Sequence, residues 1–178
     1  MNLDIQHKIT MHPLQIWHDN KELQQICENI MVMNYRDACY DTSCDIYVNC
    51  IKNSDPDPSN SIKPNNKIFY LPVADNGNQD EYEKLYKLLI KNDFKLFEKL
   101  KTKLKMNRKI CIFCKEGRQR SCAVCVCLLI YLFEGKLNKF DAINYVKSIK
   151  LDAFFGSINF QKTIDKVYDM VLKKYRKI

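Results

Sequence analysis

Glycine and arginine are scarce in this 178-residue chain, with four Gly and five Arg, and there is a single Trp. So few glycines exclude a collagen-like repeat and a Gly-rich linker, and they make each remaining glycine informative. Long apolar runs are also missing. The longest, Cys122 to Phe133, falls well short of the ~20 residues a bilayer span needs. The amino-terminal segment lacks the basic, apolar and small-residue order of a secretory leader, so the expectation is a soluble cytoplasmic protein. Repeats and heptads are absent, which excludes a solenoid and a coiled coil.

A hydrophobic fraction of 46% is enough for one core, so residues 1–178 are expected to form a single domain. The 29 Lys and Arg exceed the 21 Asp and Glu, giving a net charge of +8. That charge suits a phosphorylated, nucleic or anionic lipid partner, although composition alone favours a solvated Lys-rich surface. Nine cysteines would suit a disulfide scaffold only in a small secreted chain, and the odd number leaves one unpaired. Reduced thiols are the expectation.

Asp19-Asn20-Lys21-Glu22 has the form of a capping box, and the apolar spacing after it predicts a helix from about Asn20 to Met31. Asp45 to Ile51 and Lys67 to Ala74 read as strands, separated by a Pro-, Asn- and Ser-rich exposed loop at about 53–66. Asp75-Asn-Gly-Asn78 reads as a turn. Two amphipathic helical stretches follow, one carrying Tyr82, Leu85, Tyr86 and Leu89, the other Phe97, Leu100 and Leu104, with a break at Asn92-Asp93. Lys109 to Phe113 is a short apolar strand. Cys122 to Phe133 is apolar nearly all round and predicts a buried helix that Gly135 ends. Two further helices are predicted, capped by Asn138 and by Ser157. Strands alternating with helices give an α/β fold, with a mostly parallel central sheet flanked by helices. In such sheets ligands bind beyond the carboxyl ends of the strands, where Asp75 and Cys114 fall.

One loop concentrates the scarce residues: Cys114-Lys115-Glu116-Gly117-Arg118-Gln119-Arg120-Ser121 holds two of the five Arg and one of the four Gly. A loop wrapping from strand to helix can turn its amides inward, and the helix N-terminus adds partial positive charge, together forming an anion cradle. Gly117 supplies the freedom for tight curvature. Arg120 offers a planar fork for two oxygens of a phosphate. An ordinary free thiol, with pKa ~8.5, is only a few per cent thiolate at neutral pH, and such a cradle favours the anion that makes Cys114 a nucleophile. Ser121 is placed to hydrogen-bond the sulfur.

With its Cys-x-x-Gly-x-x-Arg-Ser pattern between an apolar strand and a long apolar helix, the chain resembles the cysteine-dependent protein tyrosine phosphatase superfamily, in its dual-specificity branch. The resemblance covers roughly Asp45 to Leu172. It implies an α/β phosphatase fold and a phosphocysteine mechanism without cofactor or metal. It also implies a phosphate-binding loop of Lys115 to Arg120, with Cys114 as nucleophile, Arg120 holding the phosphate, Ser121 assisting the thiolate and strand-end Asp75 as general acid. Asp80 is the rival acid. The family usually has His before the nucleophile; here Phe113 stands there, which implies a raised thiol pKa or a slower enzyme. A phosphorylated protein is the first expected substrate. The basic Lys115 and Arg118 suggest a phosphoinositide or other phospholipid as the alternative, and RNA 5′-triphosphatase activity and non-catalytic phosphate binding are two more.

Other features have simpler readings. Cys111-x-x-Cys114 and Cys122-x-x-Cys125 have zinc-like spacing, but both pairs lie in apolar strand or helix sequence, so the cysteines other than Cys114 are read as core. His7, His12 and His18 are read as surface histidines, and Lys173 to Lys177 as a solvated helix end.

Overall fold

The computed structural model describes residues 21–52 and 67–176. The Asp19-Asn20 half of the capping box, the three histidines and the 53–66 loop lie outside them. In chain order the elements are α1 (Lys21–Glu28), β1 (Ile30–Asn34), α2 (Tyr35–Tyr40), β2 (Ile46–Asn49), β3 (Lys67–Tyr70), α3 (Gln79–Lys105), β4 (Ile110–Cys114), α4 (Arg120–Leu132), α5 (Lys139–Ile149) and α6 (Gln161–Arg176).

The four strands form one sheet in the order β1-β4-β2-β3, parallel throughout. Every residue of β4 is buried, so both faces of the central strand are covered, as parallel sheets require. All thirteen residues of α4 are buried as well. This helix packs on β4 and β1 and is itself wrapped by α3, α5 and α6. The buried helix predicted from Cys122 to Phe133 is therefore present and begins two residues earlier. After it, Glu134 and Gly135 take left-handed conformations, and the Gly135 amide reaches back to the Ile130 carbonyl at 3.0 Å. Asn138 caps α5 by accepting the Asp141 amide at 2.9 Å.

Three boundaries differ from the sequence reading. The first helix ends at Glu28 rather than Met31, and Ile30–Asn34 is a strand paired with β4. Its apolar residues continued the helical spacing, but pairing with a distant strand decides their conformation. Of the Lys67 to Ala74 segment only Lys67–Tyr70 joins the ladder, because Pro72 has no amide to donate. Ser157 caps no helix: α6 starts at Gln161, and the Ser157 hydroxyl bonds Asn159 instead. The break at Asn92-Asp93 is present as non-helical backbone from Lys91 to Phe94 inside α3. Phe94 holds φ +62° there, and its buried ring lies 5.0 Å from that of Tyr131.

At one edge of the sheet, β3 is four residues long, with the Lys67 ammonium 5.1 Å from the Phe69 ring centroid. Between α2 and β2, the Asp41 carboxylate accepts the Ser43 amide and hydroxyl, the Cys44 amide and the hydroxyl of buried Tyr47, at 2.7 to 3.1 Å. Burial pushes this carboxyl up, but the donors from Ser43, Tyr47 and Cys44 outweigh it and hold it at about 2. An unfolded aspartate titrates near ~3.9, so the stabilisation is complete above that pH and disappears as the pH falls toward 2. Asp41→Asn should therefore be less stable than wild type at pH 6, and the gap between their urea midpoints should narrow at pH 3.

Candidate active site

Cys114 is the last residue of β4, pairs with Asn34 of β1 and is only 2% exposed. The 115–119 segment curls from it into α4, placing Arg120 and Ser121 in the first turn of that helix. Three loop carbonyls are tied to the surrounding protein. Lys115 accepts the Tyr35 amide at 3.2 Å, Gly117 the Cys122 thiol at 3.3 Å and Arg118 the Phe154 amide at 2.8 Å. In a trans peptide the N–H points opposite to the C=O. The amides of Glu116, Arg118 and Gln119 are therefore turned away from those partners, as the amides of an anion nest would have to be.

Gly117 makes the curve possible. Its φ is +68°, and a Cβ there would lie 2.7 Å from the Asn34 nitrogen and 2.8 Å from the Met33 carbonyl carbon. The loop thus rests on the end of β1, the strand absent from the sequence reading. Ser121 is fully buried, with its hydroxyl 3.2 Å from the Cys114 sulfur. Arg120 is 7% exposed and donates Nη1–H to the Val73 carbonyl at 3.0 Å. Its Nε is, among the described residues, the one buried side-chain nitrogen or oxygen without a hydrogen-bond partner. A buried, unpaired guanidinium donor is costly unless a ligand accepts from it.

The Arg120–Val73 bond brings the segment leading to Asp75 against the loop. Asp75 is exposed, with its Oδ1 accepting the Asn159 side-chain amide at 2.9 Å. Asp80 sits in the first turn of α3, where its own amide donates to the cap Asn78 at 2.9 Å. Glu81, one residue on, is a residue of this region that the sequence reading missed. Its side chain is 12% exposed, accepts the Ala74 amide at 2.8 Å and pairs with Lys52 at 2.8 Å. The Lys52 bond, followed by the Ala74 amide, holds the Glu81 carboxyl below the usual range. This carboxylate anchors the backbone next to Asp75, and a lone acid in a first helical turn gave no sign of it.

Of the remaining loop residues, Lys115 and Glu116 are exposed. Arg118 pairs with Asp152 at 3.1 Å and lies 5.9 Å from the Phe155 ring centroid. Buried Gln119 spans two backbone groups of the 157–159 segment. Phe113 is fully buried, its ring edge-on to Tyr47 at 6.4 Å. Cys111 lies in β4, and Cys122 and Cys125 in α4, all buried; among the described residues no His, Cys, Asp and Glu group is arranged to hold a metal. Burial is the main force pushing the Cys122 thiol up to about 12 and the Cys125 thiol well above its ordinary value.

The model of the family described as cyclin-dependent kinase inhibitor 3 matches residues 67–142, from β3 through the loop into α5. Among solved structures, human DUSP28 superposes with a TM-score of 0.65 at 19% identity, covering 84% of this chain and 97% of that one. A mouse protein described as a dual specificity phosphatase, complexed with zinc tungstate, gives 0.63 at 21% identity and covers 84% of this chain and 87% of that one. The family model covers less than half of the chain, and the fold is that of the dual-specificity phosphatases. No curated protein matches it in sequence. At these identities the likeness to the solved phosphatases is one of fold. Among the described residues no helix is long and apolar enough to cross a membrane.

The tight contact between loop and strand makes a direct prediction. Gly117→Ala carries about 1–2 kcal/mol of left-handed backbone strain, plus a clash with backbone that cannot rotate away. Its urea midpoint should fall, and the displaced loop should lose vanadate binding even under conditions where the variant remains folded.

Proposed function

We propose that this protein is a cysteine-dependent protein phosphatase working through a phosphocysteine intermediate. The observation that carries the reading is the unpaired Arg120 Nε, buried in the first turn of the helix whose Ser121 hydroxyl lies 3.2 Å from the Cys114 sulfur. Such a site is built for a tetrahedral oxyanion. The mouse structure of the same fold was complexed with tungstate, an oxyanion of that shape.

In the first step the Cys114 thiolate attacks phosphorus, the S–P bond forms and the ester P–O bond breaks. Arg120 and the amides of Glu116, Arg118 and Gln119 hold the equatorial oxygens, where charge spreads in the transition state. Asp75 gives its proton to the leaving oxygen. In the second step the Asp75 carboxylate takes a proton from water, whose oxygen attacks phosphorus, and the S–P bond breaks to release inorganic phosphate. The Ser121 hydroxyl, 3.2 Å from the sulfur, donates to the departing thiolate.

A phosphorylated protein in the cytoplasm is the substrate we assign. The phospholipid alternative rested on Lys115 and Arg118, and Arg118 is committed to Asp152 at 3.1 Å. Turnover of phosphotyrosine and phosphothreonine peptides should exceed that of phosphoinositides and triphosphorylated RNA in one panel; the reverse order would reassign the substrate. Cys114→Ser should abolish turnover while retaining phosphopeptide binding, since the cradle survives and a hydroxyl is a poor nucleophile. Arg120→Lys should lose roughly 10²-fold or more in kcat/KM together with vanadate affinity, because a point charge replaces a bidentate fork. Activity of either variant near the wild-type level would remove the assignment.

A further inference from the structure

Asp75 is an exposed side chain at the end of an extended segment, and an untethered carboxylate of that kind rotates freely in water. Among the described residues it has one side-chain tether. Asn159 Nδ2 donates to Oδ1 at 2.9 Å, and Asn159 stands 84 residues away in sequence. Asn159 is in turn held by the nucleophile loop itself. Gln119 accepts the Asn159 backbone amide on Oε1 at 3.1 Å and donates Nε2–H to the Ser157 carbonyl at 2.6 Å, clamping both sides of the segment. The neighbouring contacts reinforce the same docking, with Phe154 N–H on the Arg118 carbonyl at 2.8 Å and the Ser157 hydroxyl on Asn159 Oδ1 at 2.8 Å. That last bond also fixes the flip of the Asn159 amide. Its oxygen faces Ser157, so its N–H groups face Asp75.

We propose that Asn159 is a positioning residue for Asp75, carried on the nucleophile loop through Gln119, so that the acid and the cradle share one frame. The inference rests on the reading of Asp75 as general acid. Its chemistry is simple. An amide N–H can only donate, so Oδ1 is occupied as an acceptor, and in the acid form the proton resides on Oδ2. The carboxyl loses its two-fold ambiguity and presents a single O–H for transfer to the leaving oxygen. The other groups around the segment do not supply this. Arg120 binds the Val73 carbonyl, Glu81 with Lys52 binds the Ala74 amide, and Lys162 of α6 binds Gln79.

A misplaced acid slows only those esters that need a proton, so leaving-group dependence separates positioning from general damage. Positioned general acids contribute roughly 10²–10⁴-fold. Asn159→Ala should forfeit about tenfold or more of this on an alkyl phosphate, while p-nitrophenyl phosphate turnover changes less than about twofold. Asn159→Asp keeps the shape but replaces the donor with a like charge, and it should steepen the leaving-group dependence at least as much. The aryl substrate reports in each sample that the enzyme is folded. In an Asp75→Asn background the Asn159→Ala change should have no further effect on the alkyl substrate. If Asp75→Asn steepens the dependence and Asn159→Ala and Asn159→Asp do not, the positioning role is wrong while the acid stands. An equal slowing by Asn159→Ala in both backgrounds likewise overturns it, because Asn159 then acts elsewhere. If Asp75→Asn leaves the dependence unchanged, the acid assignment itself fails and takes this inference with it.

Discussion

Contact between the backbone of Gly117 and that of Met33 and Asn34 sets the shape of the 114–120 end of this molecule. No side chain fits between them, so the curvature of the loop, the height of Arg120 above the sheet and the direction of the loop amides all depend on where β1 ends. The Tyr35 amide on the Lys115 carbonyl adds a hydrogen bond at the same place. The central strand delivers the sulfur to this point, and the fully buried helix α4 begins at once behind it. A shift of β1 by one residue would therefore disturb the cradle before it disturbed the core.

Around that seat, segments distant in sequence are joined by directional polar contacts. Arg120 reaches Val73, Glu81 joins Lys52 to Ala74, and Gln119 holds the chain that reaches Asp75. Each bond is directional, and each alone is worth only ~1 kcal/mol, or ~1.5–3 kcal/mol where a charge takes part. Precision in the site thus comes from geometry shared among several modest interactions, on a scaffold whose stability is supplied elsewhere, by β4 and α4.

What the sequence revealed was whatever is local. Cys114, Gly117, Arg120 and Ser121 lie within eight consecutive residues, and the requirements for sulfur, left-handed turn, fork and hydroxyl are met at fixed short spacings. The buried helix and the Asn92-Asp93 break were legible for the same reason. Non-local contacts were not. Ile30 to Met33 extend the apolar spacing of the preceding helix, and only pairing with β4, about eighty residues on, makes them a strand. Ser157 looks like a cap because its type favours one, yet its segment is held by Gln119. Glu81 and Asn159 are ordinary surface-type residues in a helix turn and a loop. Nothing in their neighbours announces that one will anchor Ala74 and the other Asp75.

The short strand β3 bears on how the molecule behaves in crowded solution. An open parallel sheet offers its outermost strand as a template for further strands, the route to edge-to-edge association. Here the template is four residues long, opens with a lysine folded over Phe69, and is followed two residues later by Pro72, which has no amide to offer. Among the described residues, the edge nearest the Asp75 segment is thereby blunted against added strands.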